Sequence, residues 1–470
     1  MVLLERGGMR TIASSMRWIA DLLYLLAGLA YSPVAIFNAV VLGKNRRGWR
    51  QRFGSVRRFE PGRRRIWVHA VSLGEVNATP KLIEALQEKL GDCDIVISTT
   101  TDTGYARAIH FYGPDRVFRF PLDFSMVIDR VLRRINPTMI VLVELEVWYN
   151  LVRLATRRGI PVAVVNGRLT KRSARRFGAL GGIVKPMFRD LAWVGAQDEE
   201  IARRFRGLGT VPERTSVTSS LKWDSALVAD RVEGMDALAA AVGIDGSCPL
   251  WVCGSTGPGE ELIILDAYRR LCGSWPYRLG DMPEKADVRD GKYPLQLAIV
   301  PRKPERFDEV ARLIDRAGFA CVRRSDRPDG CDPPVDMDRT VILGDTMGEL
   351  RKFYALSHVV FVGRTLVPLG GSDPMEVAAL GKPIVVGPHT DNFEPAVAAL
   401  RSADAIRCVA DGDGLSEVVG AILAHALLDE GVGSRAREVV LRNQGATRRT
   451  VEHLVRLVES AGDQTPTIGH

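Results

Sequence analysis

From Arg65 onward, short apolar runs rich in β-branched residues alternate with longer stretches carrying apolar residues at helical spacing, and this alternation limits the fold more than any other feature. Repeated many times, that order fits a parallel sheet whose strands are joined by crossover helices. The expected strands are Ile66 to Val71, Ile95 to Thr99, Val117 to Phe120, Met139 to Val143, Val162 to Asn166 and Trp193 to Ala196. A gap near Asp224 to Gly234 precedes a second series: Leu250 to Cys253, Leu297 to Val300, Ala320 to Arg323, Thr340 to Leu343, Val359 to Val362 and Ile384 to Val386. The fold class expected is therefore α/β, with two doubly wound Rossmann-like domains facing a central cleft. The domain boundaries expected are an N-terminal segment over 1–43, a first domain over 44–228, a second over 229–440, and a closing helix and tail over 441–470. Val451, Leu454, Val455 and Val458 mark that closing helix by their spacing, and Ser274 to Pro294 reads as a surface insertion.

The N-terminal segment is of another kind. Trp18 to Leu42 is apolar apart from Asp21, with interruptions at Ser32, Pro33 and Asn38, and its length reaches the ~20 residues of a spanning helix. It is too long for a signal peptide and lacks a cleavage pattern, so a retained membrane anchor is expected. Ser32-Pro33 leaves open a broken, monotopic helix. Downstream, ten basic residues and one acid lie between Lys44 and Arg65, whereas the rest of the chain has 54 basic and 55 acidic residues. The net charge of +8 is thus a collar beside the anchor. It points to an anionic membrane surface and removes the main support for nucleic-acid binding. The positive-inside bias places the body on the cytoplasmic face of the membrane. Seven scattered cysteines with no C-x-x-C fit that reducing compartment.

Turns at the carboxyl ends of strands carry the candidate site. Ile66-Trp-Val-His-Ala-Val-Ser-Leu-Gly-Glu75 ends in a Gly turn with a carboxylate opening the next helix. Glu75 there suits a general base facing an acceptor hydroxyl, or else a first-turn Glu complementing the helix dipole. Ser98-Thr-Thr-Thr-Asp-Thr-Gly104 offers backbone donors to an anion or simply caps a helix. Glu144-Leu-Glu-Val-Trp-Tyr-Asn150 groups two carboxylates, an indole and an amide, a density suited to a sugar. Arg168-Leu-Thr-Lys-Arg-Ser-Ala-Arg-Arg176 is a solvated face or a phosphate-binding cluster. In the second series, Gly254-Ser-Thr-Gly-Pro-Gly-Glu-Glu261, Pro301-Arg-Lys-Pro-Glu-Arg306 and Gly344-Asp-Thr-Met-Gly-Glu349 each follow a strand and suit phosphate groups. Gly370-Gly-Ser-Asp-Pro-Met-Glu-Val377 opens a further helix, where Glu376 accepts ribose hydroxyls or acts as a helix-start carboxylate. No H-E-x-x-H, G-x-S-x-G or P-loop lysine pattern occurs. The Asp-x-Asp tripeptides at Asp92/Asp94, Asp336/Asp338 and Asp411/Asp413 are poorly placed for chelation, so no metal is expected.

With these motifs in this order, the chain resembles the Kdo transferases, which add 3-deoxy-D-manno-oct-2-ulosonic acid (Kdo) to lipid A precursor. The resemblance runs from about Gly48 to Phe393. It rests on Gly48-Trp-Arg-Gln-Arg-Phe-Gly54, His69-Ala-Val-Ser-Leu-Gly-Glu75, Thr99-Thr-Thr-Asp-Thr-Gly104, Glu144-Leu-Glu-Val-Trp-Tyr-Asn150, Gly254-Ser-Thr256, Val300-Pro-Arg-Lys-Pro-Glu-Arg-Phe307, Leu343-Gly-Asp-Thr-Met-Gly-Glu-Leu350 and Gly381-Lys-Pro383. It implies an inverting glycosyltransferase of GT-B fold at the inner membrane, with no cofactor. The implied donor is CMP-Kdo and the implied acceptor a phosphorylated lipid A precursor of the lipid IVA type, as in lipopolysaccharide core biosynthesis. It further implies Glu75 as catalytic base and Glu146 and Arg168 as positioning residues for the acceptor. Donor contacts are implied for Gly254, Ser255, Thr256, Pro301, Arg302, Gly344, Met347, Gly348, Glu349, Asp373 and Glu376.

Three positions depart from the family's pattern. Asp373 stands where Asn is usual and Arg364 where Gly is usual, which raises the expectation of a compensating Arg364/Asp373 ion pair. Ser220 also replaces a usual Asn. Two rival readings share the fold: a transferase for another nucleotide-activated acidic sugar, and a membrane-bound sugar-nucleotide binding protein without turnover.

Overall fold

Apolar runs that are buried on both faces can pair only with one another, and helices must cover the sheet they form. In a computed structural model of the protein, residues 21, 22, 24–26, 48–145, 147–244, 246, 248–274, 295–327, 340–425 and 431–462 are described, and each of the expected runs is a strand. The first sheet contains β1 (Arg64–His69), β2 (Cys93–Thr99), β3 (Val117–Arg119), β4 (Met139–Val143), β5 (Val162–Gly167), β6 (Trp193–Ala196) and β7 (Thr215–Val217). All its pairings are parallel, in the order β3-β2-β1-β4-β5-β6-β7. The second contains β8 (Leu250–Thr256), β9 (Gln296–Pro301), β10 (Ala320–Arg323), β11 (Thr340–Leu343), β12 (Val359–Val362), β13 (Ile384–Val386) and β14 (Arg407–Cys408). It is also parallel, in the order β10-β11-β9-β8-β12-β13-β14. Strand order reverses between β1 and β4 in one sheet and between β8 and β12 in the other, so each has a crevice at those strands' carboxyl ends. Two edge strands, β7 and β14, were not anticipated. They are only three and two residues long and are partly exposed.

The described residues form two compact units, 1–225 with 444–470 and 226–443. The chain therefore returns to its first unit at the end. The helix Ala446–Gly462 buries Val451, Leu454 and Val458 in the first unit's core beside Leu82, Leu86 and Trp193. His453 stacks on Trp193 with ring centroids 4.6 Å apart. Asp224, in the gap between the two strand series, fixes where this helix starts: its carboxylate accepts from Gly445 N at 2.7 Å and Thr447 N at 2.5 Å. Those donors have no partner within the helix.

Most of the apolar N-terminal segment lies outside the described residues, as do Glu146, the insertion after Ser274 and the Asp336/Asp338 pair. Among the described residues no helix is long and apolar enough to cross a membrane. What is described of the segment is docked on the first unit. The Asp21 carboxylate accepts from Ser125 N and Asn150 Nδ2, both at 2.9 Å, and the Tyr24 ring meets Phe124 edge-on. Leu22, Leu25 and Leu26 face outward.

The cationic collar is less uniform than its count suggested. Arg52 and Arg65 point inward, Arg65 to Ile135 O at 2.7 Å and Asp94 at 3.1 Å. Arg57 pairs with Asp115 and Arg63 with Asp92. The other described Asp-x-Asp pair is likewise engaged, Asp411 with the Asp413 and Gly414 amides and Asp413 with Arg270. Asp224→Ala should lower the stability of the first unit by about 1–3 kcal/mol, because two helix-start donors lose their acceptor. Urea unfolding followed by circular dichroism measures this.

Candidate functional site

In the first unit, three adjacent strands deliver the expected polar residues to one edge. Glu75 follows β1, Glu144 follows β4 and Arg168 follows β5. Glu75 lies in the helix Leu73–Asn77, whose N-cap is Ser72. Its Oε1 accepts from Ser72 Oγ at 2.9 Å and its Oε2 from Val71 N at 2.8 Å. Ser72 in turn receives the Glu75 amide. This reciprocal cap fixes the side chain in one rotamer and leaves further lone pairs on both oxygens. Burial pushes the Glu75 pKa above the ordinary carboxylate value, against the lowering effect of the Val71 and Ser72 hydrogen bonds, and the Glu144 charge adds to the rise. Glu75 therefore opens its helix and presents a held carboxylate of raised pKa.

Glu144 sits at φ 62°, in the left-handed region that residues other than glycine rarely adopt. It was part of the sequence motif without a role, and no local signal marks its backbone strain. Arg168 is half-buried at the start of the basic helix Lys171–Ala179, which buries none of its residues. His69 is not a site residue. Wholly buried, it stacks on Phe120 at 3.9 Å, and burial pushes its pKa down to about 3. It is a neutral core histidine with Nδ1 3.1 Å from Ser98 O.

In the second unit, the turn after β8 is organised by a carboxylate whose role the sequence did not reveal. Glu260 is fully buried and accepts from four backbone amides: Gly257 N at 2.9 Å, Arg364 N at 2.5 Å, Thr365 N at 2.8 Å and Leu366 N at 2.9 Å. It thereby ties the turn after β8 to the turn after β12, across the point where strand order reverses. Burial raises its pKa even so. Beside it Glu261 accepts from Thr256 Oγ1 at 2.8 Å and forms a two-pronged pair with Arg306, at 2.6 and 3.1 Å. The Gly257 amide, one of the donors expected to be open to an anion, is thus already occupied.

Of the residues expected to bind the donor, Gly254 and Ser255 contact Tyr354, and the charges of Glu376, Asp373 and Arg302 act on it. A Cβ at Gly254 would lie 2.6 Å from Tyr354 Cζ, so that position has room for Gly alone. Ser255, at φ 57°, hydrogen-bonds the buried tyrosine. Burial and then the Glu376 charge raise the Tyr354 pKa, so the hydroxyl stays protonated. Arg302 N donates to Thr256 O at 3.1 Å, which fixes the β9 turn after Pro301 against β8. Glu376 opens the helix Met375–Ala379 and is solvent-accessible, yet the protein around it raises its pKa while Arg351 and Arg302 oppose the rise. Gly344 packs where a Cβ would come within 2.8 Å of Phe353 and Val300. Met347 is exposed, and Gly348 has φ 85°. Glu349 is engaged by Thr346 Oγ1, Arg324 Nε at 3.0 Å and Lys352 Nζ at 3.2 Å. Burial alone would raise its pKa, but these bonds hold it below the ordinary value.

The expected Arg364/Asp373 compensation takes another form. Asp373 accepts from Met375 N at 2.8 Å, capping the helix that carries Glu376. The Arg364 guanidinium donates to Leu369 O at 2.8 Å, and its backbone occupies φ 63°, a glycine conformation. Ser220 Oγ is 3.4 Å from Lys222 N, a purely local contact.

Residues 47–225 match the family described as 3-deoxy-D-manno-octulosonic-acid transferase (kdotransferase). The 3-deoxy-D-manno-octulosonic acid transferase of Haemophilus influenzae is 33% identical over 397 residues, 84% of this chain and 87% of that one. Its namesake from Bordetella pertussis is 33% identical over 395 residues, covering 83% and 86%. A solved glycosyltransferase from Rickettsia africae is similar in fold, with TM-score 0.52 at 11% identity over 86% of this chain and 100% of that one. Glu260→Ala should destabilise unit 226–443 by at least about 3 kcal/mol, since four buried amides lose their acceptor. Glu260→Gln, which keeps one acceptor oxygen, should fall between, and thermal unfolding of the three proteins orders them.

Proposed function

The chain belongs to the 3-deoxy-D-manno-octulosonic acid transferase family, and from that premise we propose that it transfers Kdo from CMP-Kdo to a lipid A precursor of the lipid IVA type, with inversion. It is a glycosyltransferase of lipopolysaccharide biosynthesis, and its fold is GT-B-like: two parallel α/β units. The observation that carries the mechanism is the Glu75 carboxylate, held by Val71 N and Ser72 Oγ at a strand end and made more basic by burial. In this reading Glu75 takes the proton of an acceptor sugar hydroxyl as that oxygen bonds to the Kdo anomeric carbon. The bond from that carbon to the phosphate oxygen breaks, and CMP leaves with the electron pair. A base is more effective as its pKa approaches the working pH, which is the use of Glu75's desolvation.

On the donor side, Arg302 and the turns after β8 and β11 meet the developing phosphate charge. Glu376 accepts ribose hydroxyls, with Asp373 holding its helix start. Glu146 and Arg168 position the acceptor. We also propose a seat on the cytoplasmic face of the inner membrane. Its support is the outward leucines at 22, 25 and 26 and the exposed Trp49 and Phe53 beside the exposed cations Arg50, Arg58 and Arg64. Aromatic and basic side chains favour that interface.

Glu75→Gln should lower kcat about 10²–10⁴-fold, the usual range for a lost general base, while CMP binding stays intact. Purified protein with CMP-Kdo and tetraacylated precursor, followed by acceptor mass, measures transfer. Absence of added Kdo mass with the unaltered protein would refute the reading. Because burial raises the Glu75 pKa, the folded state holds this proton more tightly than the unfolded chain does. The stability it contributes is complete at acid pH and is lost as pH rises through the raised value. The Gln variant should therefore be at least as stable as the parent at pH 7.

A further inference from the structure

Buried charges are normally paired, and where they are not, a missing partner is the first explanation. The motif Gly48-Trp-Arg-Gln-Arg-Phe-Gly54 places Arg52 at 8% exposure against Arg119, which is 4% exposed. Three residues of the motif serve this contact. Gly48, at φ 82°, leaves room for the Arg119 side chain, since a Cβ there would lie 2.6 Å from Arg119 Cγ. Gln51 Oε1 accepts from Arg119 N at 2.9 Å. Arg52 Nη2 donates to Thr100 O at 2.8 Å, a carbonyl that Arg119 Nη1 also approaches at 3.4 Å. Arg119 has a carboxylate, Asp102 at 2.5 Å, and an aromatic face, Tyr105 at 4.1 Å. Arg52 Nε is buried without an acceptor among the described residues. Two guanidinium groups thus share one carboxylate in a desolvated place, and burial, then Arg119, lowers the Arg52 pKa. The helix Asp102–Tyr112 begins here, adding its positive end.

The location ties this pair to the proposed chemistry. Thr100 N donates to Val71 O at 3.3 Å, and Val71 N donates to Glu75 Oε2 at 2.8 Å. Two residues therefore bridge Arg52 and the carboxylate proposed as base. We propose that Arg52 and Arg119 form an anion-binding site beside Glu75 that takes a phosphomonoester of the acceptor. This rests on the transferase reading. A phosphate there satisfies the second guanidinium through a charge-assisted fork and orients the acceptor hydroxyl toward Glu75.

The test compares the acceptor with and without its phosphates, in neutral detergent micelles, for the parent protein, Arg52→Lys and Arg52→Gln. Phosphate removal should raise the parent's KM about tenfold or more, the worth of a charged hydrogen bond. Arg52→Gln should show that raised KM with both acceptors, so that removal changes nothing further, and Arg52→Lys should lie between. Thermal unfolding and CMP binding report whether each variant is folded. Equal losses on dephosphorylation for parent and Arg52→Gln would overturn the site, as would a fall in kcat with KM unchanged. Adding anionic phospholipid to the micelles separates headgroup from acceptor phosphate, and competition by phospholipid alone would also overturn the assignment. If the parent transfers no Kdo to either acceptor, the transferase reading fails instead. The site is then judged by inorganic phosphate alone: stabilisation of the parent that Arg52→Gln lacks supports it, and its absence refutes it.

Discussion

The second unit depends on one buried carboxylate. Glu260 collects four backbone amides from two turns about a hundred residues apart in sequence, and so closes the crevice between β8 and β12. A doubly wound sheet opens at such a place because successive helices leave to opposite faces. Amides left there without partners would need water or a ligand. Filling the crevice from within leaves the neighbouring Arg302 and Glu376 to face outward from fixed backbones, while Ser255 stays buried against Tyr354. The Glu261–Arg306 pair and the Gly254–Tyr354 contact brace the same turn from below.

The first unit handles the equivalent place differently. Glu75 follows β1 as Glu260 follows β8, each in the first turn of the helix after the first strand of its sheet, beside the point where strand order reverses. Glu75, however, has two donors where Glu260 has four. Across its own crevice stands another carboxylate, Glu144, in place of a row of amides. The one carboxylate is saturated and structural, whereas the other is held in place with capacity to spare and made more basic by burial and a like charge. Similar topology thus yields a clamp in one unit and a candidate base in the other.

Periodicity made the sheets legible because buried parallel strands are continuous apolar runs. The strands it did not reveal, β7 and β14, are short edge pieces with polar or exposed residues. Glu75 could be placed from its motif because its partners, Val71 and Ser72, are adjacent in sequence. Glu260 was visible in a Gly-rich turn, yet its partners at 364–366 were not, since no local pattern encodes a contact that far along the chain. The same limit explains Arg364 and Asp373. Both are engaged within a few residues of themselves, Arg364 at Leu369 and Asp373 at Met375, where charge complementarity alone had suggested a mutual pair. The closing helix was read from its spacing, but its return to the first unit depends on Asp224 and Trp193.

Charge counts along a chain ignore which way side chains turn, and the collar shows the consequence. Within the helix Trp49–Arg52, Trp49 and Arg50 face solvent together with Phe53 beyond it, while Arg52 reaches Thr100 and Gln51 supports Arg119. A segment of barely one turn thus has an outer face suited to a lipid surface and an inner face built into the loop next to Glu75. The two faces cannot move independently, because a single helical turn is a rigid body held by Arg52 O to Leu122 N and by Gly48 against Arg119. With the proposed membrane seat, any force a bilayer applied to Trp49 and Phe53 would be applied to the Thr100 loop as well. A cationic collar acting only through long-range attraction would need no such inward arginine, and burying one would cost stability without return. The inward turn of Arg52 is accounted for if, as proposed, the segment seated on the membrane also helps to hold the acceptor's phosphate.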